Sequence, residues 1–340
     1  MKLVVTGGAG FIGSALVRHL ILDHGHTVLN IDKLTYAANT DALKTVSNDS
    51  RYHFAKLDIL DGDGIRAQLK AFDPDGIFHL AAESHVDRSI ESPDIFVETN
   101  VLGTQRMLSA TRSYLEQRQT PSEFRFIHIS TDEVFGELSA DDDSLFTEDT
   151  PYDPRSPYAA SKAASDHLVR ACVNTYAFPA VITNCSNNYG PYQNEEKLIP
   201  LTISRALKRQ NLPVYGDGKQ IRDWLFVEDH VRGIYDVFVR GKIGRSYNIG
   251  GHSERRNVDV VTLICRLLDE KMPLAGDASI KSYAELITFV TDRPGHDFRY
   301  AIDATRMMDE IGWAPSLTFE QGIENTVDWF ISYFSAKTDR

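Results

Sequence analysis

Cysteine and long apolar runs are both scarce in this chain of 340 residues. Cys172, Cys185 and Cys265 stand far apart and form no CxxC or Cys/His spacing, which argues against a disulfide framework or a zinc site and favours buried free thiols. No apolar run approaches the roughly 18 residues of a membrane span, and the first predicted strand begins too early for a signal peptide. We therefore expect a cytoplasmic protein that does not bind a membrane.

Positive charge and metal-ligand patterns are also limited. The formal net charge is -12, which argues against a general nucleic-acid binder, although a local basic pocket for a phosphorylated ligand is compatible with it. The 11 histidines form no HExxH or other ligand spacing, so no metal is predicted. A hydrophobic content of 42% at this length is enough to bury a large core.

Strand-like and helix-like patterns alternate through the first half of the chain. An apolar run at 3–5 ends in a glycine-rich loop, helical spacing follows over 12–21, and a second strand at 28–31 ends at Asp32. Alternation of this kind implies right-handed crossovers and a parallel sheet, so the predicted class is α/β, a Rossmann-like doubly wound sheet. Further strands are predicted at 52–57, 76–81, 124–130 and 179–184, and long helices at about 93–117 and 157–176.

The pattern loosens after about residue 185, where proline and glycine separate shorter elements. This predicts one domain over residues 1–185 and a smaller lobe over 186–340. The smaller lobe is expected at the carboxyl ends of the strands, where ligands bind in such folds. The chain can weave between the two parts, so the boundary is approximate.

The loop Gly7-x-x-Gly10-x-x-Gly13 follows the first strand and opens a helix. Glycines at this spacing allow a tight turn and let backbone amides approach a pyrophosphate. Asp32, at the end of the second strand, can accept hydrogen bonds from both ribose hydroxyls and would repel a 2′-phosphate, which favours NAD over NADP. An ordinary aspartate opening a turn is the alternative. Asp58 and Ile59, at the end of the third predicted strand, could flank the adenine.

A second pattern combines two carboxyl groups with a tyrosine and a lysine. Tyr158 and Lys162 share a helix face, where the ammonium would favour the phenolate and so assist proton removal. Asp132 and Glu133 follow an apolar strand and imply a further reaction after hydride transfer, the loss of water. Alternatively, this acidic pair caps a following helix.

These residues resemble the extended short-chain dehydrogenase/reductase family, whose members act on nucleotide sugars. The resemblance is closer to the dTDP-glucose 4,6-dehydratases and covers most of the chain. It lies in the segments 32–36, 81–90, 130–136, 187–193, 222–224 and 293–297.

The resemblance implies a three-stage reaction that converts dTDP-glucose to dTDP-4-keto-6-deoxyglucose. Tyr158 takes the proton of the C4 hydroxyl, with Thr131 hydrogen-bonded to that oxygen, while hydride leaves C4 for NAD. Glu133 then removes the C5 proton and Asp132 protonates the departing C6 hydroxyl, which requires different protonation states for the two carboxyl groups. Hydride finally returns to C6, so NAD is expected to remain bound.

The resemblance also implies that residues 1–185 bind NAD and that the lobe over 186–340 mainly binds the nucleotide sugar, and it assigns binding residues. The cofactor contacts that it implies are Gly7, Gly10, Phe11, Ile12, Gly13, Asp32, Lys33, Leu34, Thr35, Asp58, Ile59, Leu80, Ala81, Ala82, Thr99, Tyr158, Lys162 and Asn188. The substrate contacts that it implies are Ser84, His85, Thr131, Asn187, Lys197, Leu198, Pro213, Tyr215, Arg222, Asn257, Arg293 and His296. A homodimer is implied through the two long predicted helices, although an apolar helix face equally serves the core of a monomer.

Three departures from the family pattern and two other functions are also considered. Asn184 stands where the family often has arginine, Phe298 stands where a second basic residue is common, and 269–283 matches nothing reliable, so the nucleotide is less defined than the reaction. A 4-epimerase or decarboxylase, or a 4,6-dehydratase for another nucleotide, would share the same hydride chemistry, but the first two have no task for the acidic pair. A catalytically silent NAD-binding sensor would need neither the tyrosine nor the carboxyl groups.

Overall fold

Parallel strands form the centre of the protein. The computed structural model describes residues 1–118, 123–139, 143–274, 280–292 and 295–338. The strands in these ranges are β1 (Lys2–Thr6), β2 (Thr27–Asp32), β3 (Tyr52–Lys56), β4 (Gly76–His79), β5 (Arg125–Thr131), β6 (Ala180–Cys185), β7 (Asn187–Tyr189), β8 (Leu212–Tyr215), β9 (Ile221–Phe226), β10 (Ser246–Ile249), β11 (Glu254–Arg256) and β12 (Ile287–Val290). Seven of them form one sheet in the order β10-β6-β5-β4-β1-β2-β3, with every pair parallel.

Helices cover both faces of this sheet and build the smaller lobe. They are α1 (Phe11–Arg18), α2 (Gly62–Phe72), α3 (Val86–Glu91), α4 (Pro93–Phe96), α5 (Thr104–Gln117), α6 (Pro157–Tyr176), α7 (Leu198–Leu207), α8 (Val227–Arg240), α9 (Asn257–Lys271) and α10 (Phe319–Thr338). The doubly wound α/β fold predicted from the sequence is thus confirmed. None of these described helices is both long and apolar enough to cross a membrane.

The predicted elements agree with the structure closely. The four strands predicted between residues 52 and 184 correspond to β3, β4, β5 and β6 within two residues, and the helix predicted at 157–176 is α6. The helix predicted at about 93–117 is a continuous helical stretch of α4, a π-helical turn (Val97–Gly103) and α5. At Gly103 a Cβ atom would lie 2.6 Å from the Ile59 side chain, so this turn approaches its neighbour more closely than a larger residue allows.

Local sequence explains where α6 begins and ends. The Ser156 side chain accepts a 3.1 Å hydrogen bond from the Ala159 amide, and Pro157 occupies the first helical position, where its missing N–H costs nothing. Ala177 ends the helix in the left-handed region, with φ of 51°. The first turn of α6 is therefore fixed beside the carboxyl end of β5.

The smaller lobe has its own core. It contains a three-stranded sheet (β11-β9-β7) and a two-stranded sheet (β12-β8), packed with α7, α9 and α10 around buried side chains that include Tyr189, Trp224, Ile264 and Phe319. The chain weaves between the two parts, because β10 pairs with β6 in the large sheet and α8 packs against α1. The division predicted at residue 185 therefore stays an approximation.

Candidate active site

A cavity of about 490 Å³ lies where the carboxyl ends of the parallel strands meet the smaller lobe. Its lining includes almost every residue predicted from the sequence to bind cofactor or substrate or to act in catalysis. Leu34 does not line it and instead packs against the core of the large sheet, with φ of 59°. Arg293 lies outside the described residues. In the described part of the chain, no group of three or more His, Cys, Asp or Glu residues is arranged to hold a metal ion.

The glycine loop approaches its surroundings too closely for larger residues. A Cβ atom at Gly13 would lie 2.1 Å from the Gly7 carbonyl oxygen, and one at Gly7 would lie 2.8 Å from the Ala81 backbone. Gly7 also adopts φ of 72°, which favours glycine. Gly10 precedes α1 and provides no side-chain cap, so the first amides of this helix face the cavity in the manner of an anion site.

Asp32 braces the glycine loop. Its Oδ2 atom accepts a 2.9 Å hydrogen bond from the Ala9 amide and its Oδ1 atom accepts a 2.8 Å bond from the Leu34 amide. Each carboxylate oxygen has a second lone pair, so these bonds leave acceptor capacity toward the cavity that Asp32 lines. Lys33 and Asp58 form an ion pair of 3.4 Å on the same side.

Thr131 ends β5 and organises the acidic pair. Its hydroxyl accepts a 3.3 Å hydrogen bond from the Glu133 amide and lies 3.3 Å from Asp132 Oδ1, to which it donates. The acidic pair therefore begins a short 3₁₀ turn (Asp132–Phe135), and the capping side chain is Thr131 rather than Asp132. Asp132 Oδ2 is buried and has no hydrogen-bond partner among the described residues.

The surroundings of Asp132 favour its protonated form. Burial is the main cause that raises its pKa well above the usual range, and the charges of Glu133 and Asp223 raise the pKa further while Arg222 opposes them. A neutral carboxyl group is thus held beside Glu133, which is only partly buried. The two carboxyl groups differ in environment, as an acid and a base must.

Tyr158 and Lys162 both line the cavity, but their electrostatics differ from the sequence-based expectation. Burial, followed by the charge of Glu133, raises the pKa of Tyr158 well above its usual value, with a hydrogen bond to Thr131 opposing the rise. Lys162 Nζ donates a 2.8 Å hydrogen bond to the Ile129 carbonyl oxygen. Burial lowers the pKa of this lysine, so the ammonium alone does not produce a low-pKa phenol.

The smaller lobe supplies cations and amides to the other end of the cavity. Arg222 is buried, donates to the Asp297 carbonyl oxygen over 2.8 Å and stacks over the Tyr300 ring at 4.3 Å. The side-chain oxygens of Asn187 and Asn257 are buried without hydrogen-bond partners among the described residues, although both residues line the cavity. Such atoms are costly to bury unless a ligand satisfies them.

Further lining residues complete this end. Lys197 Nζ donates to the Ser84 carbonyl oxygen over 3.4 Å, and the Tyr215 ring meets the His296 ring edge to face at 6.1 Å. His296 Nδ1 lies 2.6 Å from Asp292 Oδ1.

A cluster at the cavity mouth was not predicted from the sequence. Glu196 accepts a 2.8 Å hydrogen bond from Arg88 and lies 3.3 Å from His85 Nε2, while the Arg88 guanidinium stacks 3.6 Å from the Tyr36 ring centroid. These residues connect the large sheet to the smaller lobe. Arg88 and Tyr36 lie in segments that the sequence had marked, but nothing in the sequence pairs them with Glu196. The other lining residues missed include Glu83, Ser186, Gln193, Trp224 and Tyr300.

Comparisons with known proteins agree with this geometry. A family described as GDP-mannose 4,6 dehydratase matches residues 4–326. A dTDP-glucose 4,6-dehydratase from Neisseria meningitidis serogroup B is 55% identical over 334 residues, which cover 97% of this chain and 93% of the relative.

Solved structures extend the similarity. The dTDP-glucose 4,6-dehydratase of Bacillus anthracis, solved in complex with NAD, is 41% identical with a TM-score of 0.86 and covers 98% of both chains. DesIV of Streptomyces venezuelae, a dTDP-glucose 4,6-dehydratase solved with NAD bound, is 41% identical with a TM-score of 0.88 and covers 99% of this chain and 98% of its own. Both the sequence and the fold of these relatives match this protein over nearly its full length, and the chain belongs to the dTDP-glucose 4,6-dehydratase family.

Proposed function

We propose that this protein is a lyase that converts dTDP-glucose to dTDP-4-keto-6-deoxyglucose and water, with NAD as its cofactor. The main support is the buried Asp132 carboxyl group, which is held neutral beside Glu133 in one cavity with Thr131 and Tyr158. Hydride transfer alone gives neither carboxyl group a task, whereas elimination of water needs an acid and a base. The similarity to dTDP-glucose 4,6-dehydratases supports the same reaction.

The glycine loop and Asp32 suit NAD. The open amides at the start of α1 fit a pyrophosphate, and the Asp32 carboxylate fits two ribose hydroxyls. When bound, NAD accepts hydride from C4 of the sugar and later donates it to C6. Asp58, Ile59 and the backbone at 80–82 line the same part of the cavity.

Tyr158 would accept the proton of the C4 hydroxyl, and Thr131 would hold that oxygen. Because burial and Glu133 raise the Tyr158 pKa, the phenol needs positive charge nearby before it can act near neutral pH. Lys162, one helical turn away, and the cationic nicotinamide provide that charge. Proton removal from the substrate is therefore coupled to occupation of the site.

The acidic pair would perform the elimination. Oxidation at C4 acidifies the C5 proton, which Glu133 removes, while the neutral Asp132 donates its proton to the departing C6 oxygen. Asp132 Oδ2, which no described residue hydrogen-bonds, is the atom that would hold this proton. Glu133, being less buried, can exchange its proton with water after each turnover.

The smaller lobe would hold the nucleotide and diphosphate. Arg222 and Lys197 provide positive charge, and a guanidinium binds phosphate oxygens in pairs. Asn187 and Asn257 have buried oxygens available for ligand hydrogen bonds. Pro213 and Tyr215 line the cavity and would lie beside the base.

Incubation with dTDP-glucose in deuterated water tests the proposal. We expect a 4-keto-6-deoxy sugar labelled at C5, detected by mass spectrometry and NMR. A galactose isomer would instead indicate an epimerase, and complete absence of turnover with NAD bound would indicate a sensor. Parallel assays with UDP-, GDP- and CDP-glucose define the nucleotide, and turnover with one of these alone would contradict the thymidine assignment.

We infer a homodimer as the working assembly. Four large apolar side chains are at least 40% exposed on α3, α4 and the following turn, namely Ile90, Ile95, Val97 and Leu102. Apolar surface of this kind suits a two-fold interface. A Val97→Glu variant should elute as a monomer in size-exclusion chromatography with light scattering, and wild-type protein that is itself monomeric would contradict the inference.

We also infer a cytoplasmic location, because all three cysteines are free and buried, as suits a reducing compartment. Fractionation of cells with detection of the protein tests this, and recovery from an oxidising compartment would contradict it.

A further inference from the structure

A buried carboxylate lies behind the cavity on the helix that supplies Tyr158 and Lys162. Asp166 follows Lys162 by four residues on α6, so the three side chains share one face of the helix. Asp166 has no exposed surface and does not line the cavity. It cannot touch a substrate and must act through its neighbours.

The contacts of Asp166 fit an ionised carboxylate. Ser130 and Tyr152 each donate a 2.8 Å hydrogen bond to its Oδ2 atom, and His128 Nε2 lies 3.1 Å from Oδ1. An ionised carboxylate is an acceptor only, and two donors on Oδ2 match it. Burial favours the neutral acid, but the contacts with His128 and Ser130 and the charge of Lys162 outweigh it and lower the pKa of Asp166.

His128 does not provide the positive charge that balances this carboxylate. Burial, with the charge of Lys162, lowers its pKa. The Ser165 hydroxyl donates to the Lys162 carbonyl oxygen, so in its 3.1 Å contact with His128 Nε2 it is the acceptor. His128 is therefore a neutral imidazole with its proton on Nε2, the side that faces Asp166.

Arg170 stacks on Tyr152, and Lys162 is the cation whose charge acts on Asp166. Its ammonium is almost fully buried, and a buried charge is costly unless it is paired. Burial lowers the pKa of Lys162, and the charge of Asp166 raises it again. The two side chains are also held by consecutive residues of β5, since Lys162 donates to the Ile129 carbonyl oxygen and Ser130 donates to Asp166.

We propose that Asp166 is a positioning residue that keeps Lys162 charged and fixes it, together with the end of β5, for the reaction. The role in turnover rests on the function proposed above for Lys162. Six titratable groups face this pair from the elements around it, and they are His79, His128, Tyr152, Tyr158, Arg170 and Cys185. Burial favours the neutral form of the imidazoles, phenols and thiol among them.

The pH profile of an Asp166→Asn variant tests the charge. Asparagine keeps the shape and can still accept at the Oδ2 position, but it removes the negative charge. The alkaline limb of kcat/KM with dTDP-glucose should shift to lower pH by about one unit or more, because Lys162 then deprotonates more readily. The KM should change little, since Asp166 does not line the cavity.

Tyr152→Phe is the matched control for this profile. It removes one hydrogen bond from the same Oδ2 atom without changing any charge at neutral pH, so the alkaline limb should stay in place. An unshifted limb in Asp166→Asn, or an equal shift in both variants, would overturn the proposal.

Thermal unfolding of Asp166→Asn, Lys162→Met and the double variant tests the pairing without any substrate. The midpoint should fall more when Asp166 is replaced in the presence of Lys162 than in its absence, by at least about 2 °C. If Asp166→Asn alone fails to fold, a folded double variant supports the pairing, and failure of both contradicts it. Additive effects would also contradict it. A wild-type protein that does not dehydrate dTDP-glucose would refute the proposed function and leave this unfolding comparison intact.

Discussion

The side-chain amide of Asn184 donates a 3.0 Å hydrogen bond to the carbonyl oxygen of Thr131. Asn184 is fully buried on β6, and Thr131 is the last residue of β5, directly before the acidic pair. The donor in this contact is thus an uncharged side chain. This hydrogen bond stabilises the end of β5, which carries the proposed catalytic groups.

Replacing Asn184 by alanine should weaken both the fold and the site. The Thr131 carbonyl loses its donor in a buried place, which costs about 1 to 3 kcal/mol in the free energy of unfolding, and kcat should fall more than KM rises. Denaturant unfolding and steady-state kinetics measure these quantities. Thr183→Val is the control, because its buried hydroxyl has no hydrogen-bond partner in the described part of the chain and its removal should not destabilise the protein. Equal stability of Asn184→Ala and wild type would show that the bond is unimportant.

Glu133→Gln should suppress turnover by roughly 10² to 10⁴. The amide keeps the size of the side chain but cannot accept the C5 proton. Binding of the nucleotide sugar, measured by calorimetry, should be nearly unchanged, and exchange of the C5 proton with deuterated solvent should fall with turnover. Normal exchange in this variant would assign the base to another residue.

Asp132→Asn should slow water loss more than oxidation at C4. The amide resembles the neutral carboxyl group that burial favours, so the variant should fold, but it has no proton to give to the C6 oxygen. Reduced cofactor should therefore accumulate transiently in stopped-flow absorbance. Normal rates without such accumulation would place the acid elsewhere.

The same substitution should affect stability in a pH-dependent way. Because the folded-state pKa of Asp132 is raised, the native protein favours the protonated acid, and that stabilisation is lost as pH rises from the unfolded value through the folded one. As pH rises, the free energy of unfolding of Asp132→Asn should therefore increase relative to that of wild type. A constant difference would argue against the raised pKa.

Gly13→Ala should destabilise the glycine loop more than Gly10→Ala. A Cβ atom at Gly13 would lie 2.1 Å from the Gly7 carbonyl oxygen, whereas one at Gly10 would lie 3.2 Å from it. We expect a lower unfolding midpoint and weaker NAD binding for Gly13→Ala, with Gly10→Ala between this variant and wild type. Equal affinities for NAD in all three proteins would show that the glycine loop does not contribute to cofactor binding.

His230 should make the protein sensitive to acid. Burial lowers its pKa to about 3, and His230 Nδ1 lies 2.8 Å from Asn188 Oδ1. An unfolded histidine titrates near 6.5, so between about pH 3 and 6.5 the unfolded chain binds more protons and stability falls as pH falls. In His230→Asn the slope of unfolding free energy against pH should decrease by up to about 1.4 kcal/mol per unit in this window. Above pH 7 the slopes should coincide, and equal slopes throughout would refute the role.

The sequence predicts those parts of the site that depend on local spacing. The glycine loop and Asp32 follow from one strand–turn–helix unit, and Tyr158 and Lys162 follow from helical periodicity. The family resemblance then gives the acidic pair its roles. These residues do line one cavity, because the parallel strands end at the same edge of the sheet.

Other features depend on contacts between distant segments and have no local pattern. Glu196 meets Arg88 across 108 positions, and Asp166 meets Ser130 across 36, yet each residue type is ordinary where it stands. The expected effect of Lys162 on Tyr158 differed because helical spacing reveals proximity but not burial, and burial dominates both pKa values. The π-helical turn within the helix predicted at 93–117 likewise arises within an uninterrupted periodic pattern.

The return of β10 to the edge of the large sheet affects how such enzymes could be recombined. Because β10 pairs with β6 while β7 and β9 belong to the smaller lobe, the substrate-binding half is not a contiguous cassette. A chimaera that joined two relatives at one crossover near residue 185 would give the sheet an edge strand from the wrong parent. Exchange of nucleotide specificity therefore requires at least two crossovers, with β10 kept in the parent that supplies β6.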